Sequence, residues 1–137
     1  MFKICFIIVM LISFSTLHAA TAPATATEAY ALSERCAKSA AQTWKTQYKD
    51  IDKEKGVIAS YENHYSLEKN RCYFREIITT VTKESTTIME SLFDINDNKQ
   101  LGGLQIFNGK LIGCQVLSSK CNSQVEWGQL LVPYMNN

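Results

Sequence analysis

The sequence predicts an α+β fold, with an N-terminal helix packed on an antiparallel five-stranded meander sheet and a short C-terminal helix. Two observations carry this. Apolar residues recur every four positions through residues 29–50 and then give way, after Gly56, to runs rich in β-branched and aromatic residues, a change from helical to extended period. The links between those runs leave no room for crossover helices, so consecutive strands must pair antiparallel.

In the first element, Leu32, Cys36, Ala40, Trp44 and Tyr48 form one apolar stripe, and Glu34, Lys38, Gln42, Lys45 and Lys49 form the opposite face. Such a stripe has to pack on something, and Trp44 is expected to lie buried against the sheet. Lys53-Glu54-Lys55-Gly56 supplies the stop. Strands follow over residues 57–65, 71–81, 86–94, 101–107 and 110–117. The strongest local signal is Asn108-Gly109 between the last two, because a type I′ hairpin needs positive φ at both central residues. Ser123 followed by Glu126 reads as a capping box opening the last helix. Trp127, Leu130, Leu131 and Tyr134 give that helix an apolar side, and Pro133 should bend or end it near Val132.

Ahead of these elements, Lys3, an apolar run from Ile4 to Ile12 and the small residues Ala19 and Ala20 have the layout of a secretory signal peptide over residues 1–20. Ser13, Ser15 and Thr16 interrupt the run, which stops short of the roughly 20 residues a membrane-spanning helix needs. No membrane span is therefore expected in the mature chain. Residues 21–28 are small, polar and low in complexity, so they read as a flexible leader to a single α+β domain over residues 29–137. Losing Lys3 turns the chain's 14 basic and 13 acidic residues into 13 of each. A neutral chain lacks the electrostatic footprint for nucleic acid and the polybasic segment that holds an anionic lipid surface.

Cys5 leaves with the signal, and Cys36, Cys72, Cys114 and Cys121 remain. Four cysteines in a small exported chain indicate two disulfides, and three connectivities are open. The preferred one joins Cys114 to Cys121, close in sequence at a strand end, and leaves Cys36 for Cys72. A zinc site would want paired ligands such as Cys-x2-Cys, which the chain lacks. His18 is also lost, so His64 is the single histidine for any general-base role. No Gly-x-Ser-x-Gly elbow is present. No catalytic residue, metal or cofactor is assigned on these grounds. Asp94-Ile95-Asn96-Asp97-Asn98-Lys99 begins like a calcium loop, but Lys99 stands where the loop takes glycine and Gln105 where it takes glutamate. A hairpin turn accounts for it better.

The most unusual string is Tyr61-Glu62-Asn63-His64-Tyr65-Ser66, followed by Asn70-Arg71-Cys72-Tyr73-Phe74. Together with Cys121, Ser123, Glu126 and Trp127 it resembles a family of small, exported, uncharacterised bacterial proteins. These carry a Tyr-x-x-His-Tyr-Asn strand, a Lys-Cys-Phe strand and a C-terminal Cys-x-Ser-x-x-Glu-aromatic helix. Ser66 here replaces the asparagine, and Arg71 with Tyr73 replaces lysine with phenylalanine. The resemblance implies a fold and an exported, bacterial compartment, and no activity.

Strand alternation puts Tyr61, Asn63 and Tyr65 on one face and Glu62 and His64 on the other. Tyr61, Asn63, His64 and Tyr65 are the candidate binding residues, since aromatics with polar tips suit sugar or protein surfaces. The plainer account, which is preferred, has the tyrosines covering core under a helix and His64 making one structural hydrogen bond. The functional expectation is an exported, periplasmic or secreted, disulfide-stabilised binding or inhibitory module of the bacterial envelope, its partner a protein or an envelope polymer. The alternative is an enzyme with an unrecognised site around His64 and a carboxylate such as Glu62 or Glu90. A concave pocket enclosing His64 favours the enzyme, and an exposed flat patch favours the binder.

Overall fold

The computed structural model describes residues 25–136; the expected signal peptide and the start of the leader, with Cys5 and His18, lie outside the described residues. Helix α1 (Ala26–Gln47) begins three residues before the expected start at 29. Thr25 caps it: the Thr25 hydroxyl accepts from the Glu28 amide at 3.3 Å, and the Glu28 carboxylate accepts from the Thr25 amide at 2.8 Å. This complete capping box corrects the expectation of a flexible leader reaching residue 28. The helix also stops earlier than expected, at Gln47, and a 3-10 turn over Ile51–Lys53 carries the chain to Gly56.

Strands β1 (Val57–Ser66), β2 (Arg71–Val81), β3 (Thr86–Asp94), β4 (Lys99–Phe107), β5 (Lys110–Val116) and β6 (Ser119–Lys120) form one antiparallel sheet in chain order. The expected meander thus gains a sixth, two-residue strand. Leu117 takes φ 51° and turns the chain back where the sequence suggested a continuing strand. Asn108 and Gly109 have φ 48° and 76°, as a type I′ turn requires. Gly102 is dictated by contact rather than by φ, because a Cβ there would lie 2.6 Å from the Gln115 carbonyl oxygen.

Helix α2 (Gln124–Met135) lies on the face of the sheet opposite α1. Ser123 caps it by accepting from the Glu126 amide at 3.2 Å, while the Glu126 carboxylate accepts from Asn122 at 2.8 Å instead of from Ser123. The expected capping box is therefore half formed. Pro133 does not end the helix, which runs on to Met135, and Lys69 Nζ donates to the Pro133 carbonyl at 2.9 Å.

Pairing register assigns the faces. Cys72, Phe74 and Glu76 point toward α1, and Tyr73 and Arg75 toward α2. The main core lies on the α2 side, where Tyr73, Leu92, Leu104, Val116, Trp127 and Leu131 are buried together. On the other side Trp44, Tyr61 and Phe74 pack in series, with ring centroids 5.1 and 5.3 Å apart. Trp44 is half-buried, not buried as expected; α1 packs chiefly on β1 and β2, at one side of the sheet. Trp127 is the fully buried tryptophan, 1% exposed. Disulfides join Cys36 to Cys72, pinning α1 to β2, and Cys114 to Cys121, pinning β5 to the approach to α2, with Cα separations of 5.4 and 5.1 Å. This is the connectivity preferred from the sequence. Among the described residues no helix is long and apolar enough to cross a membrane.

Candidate functional site

The structure divides Tyr61, Asn63, His64 and Tyr65 between two faces. Tyr61 is held beneath α1 between Trp44 and Phe74. Asn63 Nδ2 lies 3.9 Å from Cys36 Sγ and donates to it, and the Tyr65 hydroxyl donates to Asn70 Oδ1. His64 faces the α2 side, where its Nε2 is buried without a hydrogen-bond partner among the described residues. The two carboxylates considered with it are held by one guanidinium. Arg75 Nη1 lies 3.0 Å from Glu62 Oε2 and Nη2 lies 2.7 Å from Glu90 Oε2. The Trp127 indole N–H also donates to Glu90 Oε2, at 2.5 Å.

The calcium-like loop is a turn that consumes its own oxygens. Asp94 Oδ1 accepts from the Asn96 and Asp97 amides at 2.9 and 3.3 Å, and Asn96 Oδ1 accepts from the Cys72 amide at 2.7 Å. Arg71 Nη1 lies 2.7 Å from Asp97 Oδ1 and 3.5 Å from Asp94 Oδ2. The paired acids hold the Arg71 guanidinium above its ordinary pKa, Asp97 first. Among the described residues no three His, Cys, Asp or Glu side chains group to hold a metal.

The open concavity lies elsewhere, on the part of the α1 face that α1 does not reach. Register places Glu76, Ser91, Gly103, Gln115 and Lys120 in one row across β2 to β6, with Met89, Gln105 and Gly113 in the neighbouring row. A furrow of about 710 Å³ runs over β3–β6 here. Its floor is bare backbone at Gly103 and Gly113, and a Cβ placed on Gly113 would meet nothing within 4 Å. Gln100, Gln105, Gln115 and Lys120 stand around that floor, and Met89 and Ile112, 41% and 56% exposed, supply apolar surface.

At the β2 end of the row, buried Glu76 accepts from the Tyr48 hydroxyl of α1. Burial pushes the Glu76 carboxyl above the ordinary carboxylate range, and the Ser91 hydroxyl draws it partly back. Sequence reasoning missed this face. The available signal was glycine inside strand patterns at 103 and 113, which marks a bulge or a close approach to the backbone. Comparison of the chain with protein-family models, with curated proteins and with solved structures finds no match in any of the three.

Proposed function

We propose that this chain is an exported binding module of the bacterial envelope that holds a neutral, hydroxyl- and amide-rich envelope polymer in the furrow over β3–β6. The observation that carries the reading is the glycine floor ringed by amides. Gln100 and Gln115 donate to the Gly102 and Leu117 carbonyls and keep their side-chain oxygens as acceptors, and Gln105 can both donate and accept. The three can therefore meet successive hydroxyls, and the missing Cβ atoms let a ring lie flat on the backbone. Met89 and Ile112 add apolar contact for the ring face. The two disulfides support the reading by holding the flanking elements α1 and α2 to the sheet, so little ordering entropy remains to be lost on binding. Export rests on the signal-like first twenty residues and on the resemblance to exported bacterial proteins. The enzyme reading around His64 has less support, because Arg75 already engages both Glu62 and Glu90.

The test is co-sedimentation of the oxidised mature chain with isolated cell-wall glycan. Wild type should pellet with the glycan. Gly113→Trp, whose side chain enters open space, should keep its melting temperature and stay in the supernatant. Wild type that does not pellet, or a Gly113→Trp variant that pellets equally, rejects the furrow as the glycan site.

A further inference from the structure

We infer that the free edge of β1 is a self-pairing surface, at which two copies join β1 to β1 antiparallel about a two-fold axis through Asn63. The two edges of the sheet are treated very differently. One is closed by β6, only two residues long, whereas β1 presents ten residues paired with β2 without a bulge. Exposed edges that must stay single are normally blunted by proline, lysine, a bulge or brevity. β1 has no proline, lysine or bulge, and Glu62 is its single carboxylate. Among the described residues no backbone hydrogen bond reaches its outer side beyond Val57.

The occupant follows from self-complementarity. Antiparallel pairing centred on Asn63 sets Glu62 opposite His64 of the second copy, twice by symmetry, and Tyr61 opposite Tyr65. Directly opposed residues bring their Cβ atoms to about 4.5–5.5 Å. Each copy would thus set a half-exposed carboxylate across from a partly exposed imidazole. On that face Arg75 sits on Glu62 and Glu90, and Arg71 on Asp94 and Asp97.

The helix above the edge agrees. Thr43 and Gln47 line a hollow with Phe93 and Asn98, on the β3 side of α1. Helical period then puts Ser33, Ala37 and Ala41 on the flank over the free edge, all three exposed, with Tyr30, 73% exposed, about one turn before Ser33. Small side chains there let α1 of a second copy approach when the two sheets join.

Sedimentation of the oxidised mature chain over a range of concentrations should show a monomer–dimer equilibrium. Ala37→Arg, at an exposed helix position, should leave the melting temperature of the monomer unchanged and weaken the dimer by roughly tenfold or more. Glu62→Lys and His64→Glu should each weaken it as well, by placing like charges opposite or removing the attraction. The double variant carrying both should recover dimerisation, because each lysine then faces a glutamate. A chain that stays monomeric at every concentration overturns the proposal. So does a dimer indifferent to Ala37→Arg, or a double variant no better than the singles.

Discussion

Glu90 organises the α2 side of the sheet. Its side chain is 3% exposed, and its Oε2 receives both the Arg75 guanidinium and the Trp127 indole N–H. A buried carboxylate stripped of such partners is strongly destabilising, so Trp127 matters both as volume and as donor. Trp127→Ala should cost about 3–5 kcal/mol, and the half-buried Trp44→Ala distinctly less, as read from urea-denaturation midpoints. Equal costs would mean that the two faces of the sheet contribute alike. None of this pairing was legible in the sequence, where Trp127 stood only as one of four apolar residues on a helix. Its partner lies 37 positions away, and a helical period carries no information about a contact that distant.

At the scale of elements, α1 is fastened at two levels, by Cys36 to Cys72 and by Tyr48 to Glu76. Burial raises the Glu76 pKa in the folded state, so the folded protein holds that proton more tightly than the unfolded chain. The associated stability is fully present below the unfolded pKa and is lost as pH rises through the higher folded value. Glu76→Gln, which keeps an acceptor for Tyr48, should therefore match wild type in melting temperature near pH 4 and exceed it near pH 7. A variant that melts lower at both pH values would show that the ionised carboxylate is needed to dock the helix. The identity and order of the elements were legible because each has a strong period. Their ends were less so: Thr25 was hidden inside a low-complexity run, and β6 exists only because Leu117 adopts a left-handed backbone that its residue type does not advertise.

Across the whole molecule, the disulfides close loops of very different size, with sequence separations of 36 and 7 residues. The chain-entropy account assigns them about 3.8 and 2.5 kcal/mol. Replacing Cys36 and Cys72 together by alanine should accordingly cost more stability than replacing Cys114 and Cys121, as measured by denaturant unfolding under oxidising conditions. A larger loss from the short loop would mean that the position of α2, not loop entropy, dominates.

The sequence by itself determined the α+β class, the antiparallel meander, the Asn108-Gly109 turn and the split of Tyr61, Asn63 and Tyr65 from Glu62 and His64 across β1, because period and turn chemistry are local properties of the chain. Only the tertiary structure decided what covers each face. α1 packs chiefly on two strands of six, so Tyr61 is packed under a helix while Gly103, Gly113 and the glutamines around them are left open. Alternation tells which side of a sheet a residue takes. Which side meets another layer depends on where a helix of given length and tether can dock, and that is a property of distant contacts summed over the whole fold.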